Sequence, residues 1–210
     1  TGMVRDKLGR KMSKSLGNSP DLLELIEKFG ADAVRFGILI SSPAGNDLLF
    51  DEASLEQGRN FNNKLWNALK LVKLWENRLA EDQNQAGEKT ASGFAVNWFD
   101  NRLKEAKLQV QALYDDFKLS EALKRIYSLI WDDFCSWYLE WIKPEQNSPM
   151  DPQLHRKTIS FFEELLQMLH PFTPFITEEI HHLLKEQRED ICVAQLGRES
   201  KPPDEGILSM

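Results

Sequence analysis

Phe61, Leu65, Leu69, Val72, Trp75 and Leu79 follow one another at steps of 4, 4, 3, 3 and 4. That spacing keeps six large apolar side chains on one face of an α-helix, and only packing against other helices removes such a stripe from water. Asp51 stands where an N-cap is needed. The spacing therefore predicts one helix from about Glu52 to about Leu79, ~40 Å long at ~1.5 Å per residue. Leu103, Ala106, Val110, Leu113 and Phe117 repeat the pattern. Leu119–Ile142 is apolar on several faces, through Leu123, Ile126, Leu129, Ile130, Phe134, Tyr138 and Trp141, as in a central helix enclosed by others. Asp151-Pro152 opens a further helix that buries Ile159, Phe162, Leu165, Leu166 and Leu169. His170-Pro171 breaks it, and Thr173-Pro174 starts the next, through Ile180 and Leu184.

The first fifty residues read differently, because glycine and proline punctuate them. Val4–Met12 predicts two short strands around a turn at Lys7–Gly9. Ser19 as N-cap and Pro20 at the first helical position open a helix with Leu22, Leu23, Leu25, Ile26 and Phe29 on one face, ended by Gly30. A second helix covers Ala31–Ser41, Ser42–Asp47 is a loop, and Leu48–Phe50 is extended. Glu81–Ser92 and Pro144–Pro149 read as loops, Ile191–Gln195 as a short extended piece, and Ser200–Met210 as a loosely ordered tail. The expected fold is mainly α. A small α/β segment (residues 1–50) leads into an antiparallel helical bundle (residues 51–199), with residues 200–210 as a tail.

With 210 residues, 41% of them hydrophobic and 28% charged, the chain can bury a real core. It contains no run of ~20 apolar residues for a membrane span, and no apolar signal segment follows Thr1. The missing initiator methionine suggests a piece of something longer. Cys135 and Cys192 form no CxxC pair, which fits a reducing, cytoplasmic compartment and inert core thiols. His181 and His182 are adjacent and diverge by about 100° on a helix, so no metal site is expected. Net charge is −7, yet residues 1–16 carry a local +4 and residues 56–78 a local +3. An acidic body with two basic segments can still bind a polyanion locally.

The sharpest chemical signal is Lys11-Met12-Ser13-Lys14-Ser15, followed by Leu16-Gly17-Asn18. Two lysines three residues apart, two hydroxyls and flanking glycines at 9 and 17 suit a mobile anion-binding loop. It is not a Walker A loop, since no GxxxxGK[ST] occurs. As residues alone, the segment is read equally well as a basic surface turn.

Lys11–Ser15 matches in full the KMSKS signature of class I aminoacyl-tRNA synthetases, and the surroundings resemble that class too. Phe29-Gly30-Ala31-Asp32-Ala33-Val34-Arg35-Phe36 is similar to its "YGADALRF" stretch. The segment Gly45–Glu52 with Gly58–Ala68, and Phe134-Cys135-Ser136-Trp137-Tyr138-Leu139-Glu140, resemble the valyl branch. Leu169–Ile180 resembles the end of the anticodon-binding domain shared by the Val/Ile/Leu/Met group, and His181 departs from the family's usual Trp or Leu. The resemblance spans about Val4 to Leu184. It implies that a Rossmann half with the HIGH signature, the valine pocket and an editing domain precede Thr1, and that a coiled-coil arm follows Met210.

By this resemblance the whole enzyme activates valine with ATP and transfers it to tRNA(Val), with Mg²⁺ brought by ATP. This piece alone is expected to be inactive and to hold no cofactor. Lys14 would meet ATP and its transition state, with Lys11 as a supporting cation. Met12, Ser13 and Ser15 would complete the ATP loop. Lys64, Lys70, Lys73 and Arg78 would meet tRNA phosphates, and Trp66 or other exposed rings would stack on bases. Trp75, Trp131, Trp137 and Trp141 lie in apolar stripes and are expected in the core. No membrane or DNA partner is expected. Isoleucyl or leucyl enzymes, and a helical tRNA-binding module without catalysis, are the competing readings.

Overall fold

The computed structural model describes residues 2–42, 44–79, 90–145, 148–184 and 189–193. Strand β1 (Val4–Arg5) is followed by a 3₁₀ turn at Lys14–Leu16, helices α1 (Leu22–Phe29) and α2 (Ala31–Ile40), and strand β2 (Leu48–Leu49). Then come α3 (Glu52–Glu76), α4 (Thr90–Asp115), α5 (Leu119–Ser128), a π-helical stretch (Leu129–Tyr138), α6 (Leu139–Trp141), α7 (Pro152–Leu169) and α8 (Pro174–Leu184).

Local sequence explains most ends. Asp51 caps α3 by accepting from the Ala53 amide, and Asp151 caps α7 through Gln153, ahead of Pro152. Gly30, at φ 89°, ends α1 and leaves a single residue before α2. α1 starts two residues later than Ser19-Pro20 suggests. Asp21, whose carboxylate accepts from Leu23, is its cap, because a charged acceptor serves the free amides better than the Ser19 hydroxyl.

The expected hairpin is only partly formed. Arg5 makes an antiparallel bridge with Lys11 across the Lys7–Gly9 turn, but β1 pairs in parallel with β2, Val4 opposite Leu48 and Arg5 opposite Leu49. The Met3 amide and the Arg5 side chain both bond Asp47, which fixes that pairing. The basic segment is thereby tied to the residues that lead into α3.

One core runs through the bundle. Phe61, Leu65, Leu69, Val72 and Trp75 of α3 are all buried, as their spacing demands. They share one core with Phe161, Phe162, Leu165 and Leu166 of α7, while Phe99, Leu103, Ala106 and Val110 of α4 line the opposite side of that core, with Phe99 against Phe134, Tyr138 and Phe161. The rod of α5, the π stretch and α6 is enclosed, with Leu123, Ile126, Leu129, Ile130, Phe134 and Tyr138 wholly buried. A smaller cluster of Leu25, Phe29, Ala33, Val34 and Leu55 joins α1, α2 and the start of α3.

Four expectations fail on these stripes. Leu79 lies beyond α3 and is part-exposed, bridging to Met150. Phe117, past the end of α4 at φ 58°, is 85% exposed, because the chain has already turned. Trp137 and Trp141 are 53% and 38% exposed rather than core. The π turns take five residues where an α turn takes four, shown by the Leu139 amide bonding Phe134 O, so the stripe expected at 3.6 residues rotates out of the core. Finally, residues 90–92, expected in a loop, already belong to α4, and Ile191–Val193 form a turn rather than an extended piece. The expected loop at 81–89 and the tail at 200–210 lie outside the described residues.

Candidate functional site

The loop that carries the signature is built on two acceptors. Asn18 Oδ1 takes the Ser13 amide at 2.9 Å, and its Nδ2 donates to Asp6 Oδ2 at 3.0 Å and Lys11 O at 3.2 Å. Asp6 in turn accepts from the amides of Leu8 and Arg10 and from the Arg10 guanidinium. The Asn18 hydrogen bond, then those of Arg10 and Leu8, hold the Asp6 carboxyl well below the usual carboxylate range. Ser13 caps the 3₁₀ turn through the Leu16 amide and lies 3.2 Å from Ser15 Oγ. Gly17 closes the turn at φ 66°, donating to Lys14 O.

Sequence reading treats Leu16–Asn18 only as a break, yet Asn18 organises the site. The available signal is chemical: a short amide side chain beside a left-handed glycine is suited to bond nearby backbone.

The electrostatics single out two residues. Arg5 pairs with Asp47, Lys7 with Asp51 at 3.0 Å, and Arg10 with Asp6 at 2.8 Å. Among the described residues Lys11 and Lys14 have no carboxylate partner, and both are exposed. The local positive charge read from sequence is therefore concentrated on these two ammonium groups. A cleft of about 550 Å³ beneath the loop is lined by Asp6, Met12, Gly17, Asn18, Pro20 and Phe50. Met12 packs there, half-buried, and Lys7 also lines it, whereas Lys11 and Lys14 do not.

The second set of expected residues lies on α3. Lys70 is exposed and unpaired among the described residues. Lys73 pairs with Glu76 at 2.5 Å, and the Lys64 ammonium sits 5.3 Å from the centre of the Trp131 ring. Trp66 is half-buried against the core. Arg78 stands apart from this set. Its guanidinium donates to Ser148 O at 3.0 Å and reaches Glu145 O at 3.5 Å, so it also holds the connection before α7.

Beyond the residues expected from sequence, four rings meet where the first turns of α4 pass α6. Trp141 contacts Trp98 edge-on at 4.8 Å, Trp137 at 5.5 Å and Phe94 at 5.7 Å. Periodicity could not find this cluster, because the π turns create it.

His181 is buried, with Nε2 3.2 Å from Glu189 O, while His182 meets Asp190 at 2.9 Å and Glu178 at 3.3 Å. The two histidines thus diverge, as their adjacency requires. Cys135 is buried, and desolvation pushes its thiol up to about 12. Cys192 is exposed, not a core thiol.

Comparison with known proteins bears on both regions. Residues 96–206 match the anticodon-binding domain of tRNA ligases, and residues 1–51 match the class I tRNA synthetases of the I, L, M and V group. The chain is 54% identical over 207 residues to a valine–tRNA ligase of Bacteroides fragilis, covering 98% of this chain and 23% of that protein. It is 39% identical over 217 residues to the valine–tRNA ligase of Symbiobacterium thermophilum, covering 99% and 24%. The chain thus spans about a quarter of the length of the curated relatives it matches. In fold it is similar to the LeuRS of Agrobacterium radiobacter K84 crystallised in a ternary complex with tRNA and LeuAMS. That match has a TM-score of 0.67 and 22% identity, over 90% of this chain and 23% of that one. It is also similar to Mycobacterium tuberculosis methionyl-tRNA synthetase in complex with methionyl-adenylate, with a TM-score of 0.59, 21% identity, and coverage of 85% and 36%.

Proposed function

The chain belongs to the class I tRNA ligases that carry this anticodon-binding domain, with valine–tRNA ligases as its relatives, and on that premise we propose that it is the signature-loop and tRNA-binding part of a valine–tRNA ligase. The observation that carries the proposal is the pair of ammonium groups, Lys11 and Lys14, that have no carboxylate partner among the described residues, on a loop whose other cations are all neutralised. An unpaired charge held on an ordered scaffold is suited to a polyphosphate.

In the reaction, the valine carboxylate attacks the α-phosphorus of ATP and pyrophosphate leaves, giving valyl-adenylate. A terminal hydroxyl of the tRNA then takes the valyl group and releases AMP. Negative charge grows on phosphate oxygens in the first step, and Lys14 opposes it there, with Lys11 in support. The exposed Ser15 hydroxyl supplies a neutral donor. Asp6 already accepts from Leu8, Arg10 and Asn18, so Mg²⁺ would be held by the ATP phosphates, where it would help neutralise their charge. Lys64, Lys70 and Lys73 meet tRNA phosphates, while Trp66 and the exposed faces of Trp137, Trp141 and Phe94 offer stacking surface to unpaired bases. Two free cysteines fit work in the reducing cytoplasm.

The test is Lys14→Ala in the full-length ligase. Valine-dependent ATP–pyrophosphate exchange should fall roughly 10²–10³-fold, the loss of ~3–4 kcal/mol expected when one group facing developing charge is removed. The KM for valine should stay nearly constant, and arginine at position 14 should not fully restore the rate. Near-normal exchange, or lost tRNA binding with adenylation intact, would refute the assignment. The isolated 210-residue chain should form no valyl-adenylate.

A further inference from the structure

We infer that Asp32 and Arg35 are positioning residues that fix the angle at which the anticodon-binding bundle meets the signature-bearing segment. The inference rests on the preceding reading that loop and bundle serve one reaction.

Thr173 precedes α8 where an N-cap belongs, yet its buried hydroxyl has no partner among the described residues. The cap comes from elsewhere in the chain. Asp32 of α2 accepts from the Ile176 amide at 2.6 Å and from Phe175 at 3.4 Å. These are among the first amides of α8, which have no acceptor within their own helix. One turn along α2, Arg35 serves the opposite need at the same corner. It donates from Nε to Phe172 O at 3.1 Å and from Nη2 to Pro171 O at 3.0 Å, carbonyls of the turn that leaves α7. A carboxylate for free donors and a guanidinium for free acceptors, three residues apart on one helix face, hold both sides of the α7–α8 turn.

α2 itself is held rigidly. A Cβ at Gly58 of α3 would lie 2.6 Å from Ala33 O, and one at Gly37 would lie 2.8 Å from the Leu55 amide nitrogen, so the two backbones touch. Ser120 Oγ donates to Ile40 O at 2.6 Å and fastens the end of α2 to α5. On its other side, Gly30 alone separates α2 from α1, which follows directly on the signature loop. α2 is therefore the body shared by the loop and the bundle. Asp32 and Arg35 are its polar grip on the far helices, and neither contacts the loop.

The experiment uses the full-length ligase with Arg35→Ala, Arg35→Lys and Asp32→Asn. Pyrophosphate exchange, which needs no tRNA, should stay within about twofold of wild type, whereas kcat for tRNA charging should fall about 10- to 100-fold, as a misplacement of about 1 Å can cause. The KM for tRNA should hardly move, because the bundle's own surface is unchanged. Arg35→Lys should restore only part of the rate, since one ammonium replaces a fork that reaches two carbonyls. Should Arg35→Ala not fold, Arg35→Lys and Asp32→Asn decide. A parallel fall in exchange and charging, a change in KM alone, or no change in charging would overturn the inference. A wild-type ligase without valine-dependent exchange would instead remove the proposed function, which separates the two failures.

Discussion

Replacing Gly58 by alanine tests the α2–α3 contact directly. The added Cβ would stand 2.6 Å from Ala33 O, 3.0 Å from Ala33 Cα and 3.1 Å from Phe36 Cδ1. Ordinary contact begins at 3.4 Å, so the helices must part by about 0.8 Å, and the first two obstacles are backbone that no rotamer change can move. A gap of ~0.5–1 Å forfeits a quarter to a half of the dispersion energy of the atoms across it, here those of Ala33, Phe36, Leu55 and Phe61. Because the nearest obstacles are backbone, overpacking here falls in the upper part of its ~1–3 kcal/mol range, about 2–3 kcal/mol, against about 1 kcal/mol gained from alanine's helix propensity, leaving a net loss of about 1–2 kcal/mol. Gly93 of α4 provides the control, since a Cβ there meets nothing within 4 Å. Gly93→Ala should stabilise by about 0.5–1 kcal/mol through propensity and unfolded-state entropy. Urea unfolding of the 210-residue chain, followed by far-UV circular dichroism, should place the two midpoints on opposite sides of wild type, separated by roughly 1 M at a slope of ~2 kcal/mol/M. A Gly58→Ala chain as stable as wild type would refute the close-contact argument.

The thiols should separate cleanly by burial. At mildly alkaline pH a thiol reagent should modify Cys192 within minutes and Cys135 only after unfolding, because the Cys135 thiol is buried and pushed up to about 12; rapid modification of both in the folded chain would contradict the packing of the π stretch. Acid should loosen the signature segment. Asp6 is held below its ordinary 3.8 chiefly by Asn18, Asp47 by Arg5 and Asp51 by the Ala53 amide, so each folded value lies under the unfolded one. Their stabilisation is complete above about 3.8 and is lost as pH falls through the folded values. The amide resonances of Leu8 and Arg10, both bonded to Asp6, should hold steady down to pH 3.8 and move below it; movement centred at or above 3.8 would show that the Asp6 network is not formed.

Much of the candidate site was legible as chemistry and little of it as geometry. Lys11–Ser15 stands out by residue type alone, and the Val/Ile/Leu/Met resemblance follows from quoted segments. Which of the five cations near the N-terminus stay unpaired depends on carboxylates at 47 and 51, brought in by the parallel β1–β2 pairing. A single sequence carries no rule for that pairing, because two-residue strands have too little pattern to fix a register. Arg78 shows the same limit from the other side. In sequence it is one more cation of a basic stripe, with no sign of the carbonyls of Glu145 and Ser148 that it also bonds.

Sequence alone determined the helices and what they bury, since Phe61 to Trp75 or Ile159 to Leu169 must cover an apolar face whatever the neighbours are. It also determined the caps that lie within hydrogen-bond reach of their own helix, Asp51 and Asp151. Tertiary structure decided where local rules compete. It gave α8 a cap from Asp32, 143 residues before Phe175, and left the Thr173 hydroxyl without a partner among the described residues. It wound Leu129–Tyr138 into π turns and so moved Trp137 and Trp141 from core to surface. The physical reason is one of range. Periodicity and capping act over one or two turns and are written in neighbouring residues, whereas a cap lent across the fold, or a helix rewound to suit its packing, depends on groups that meet only after the chain has folded.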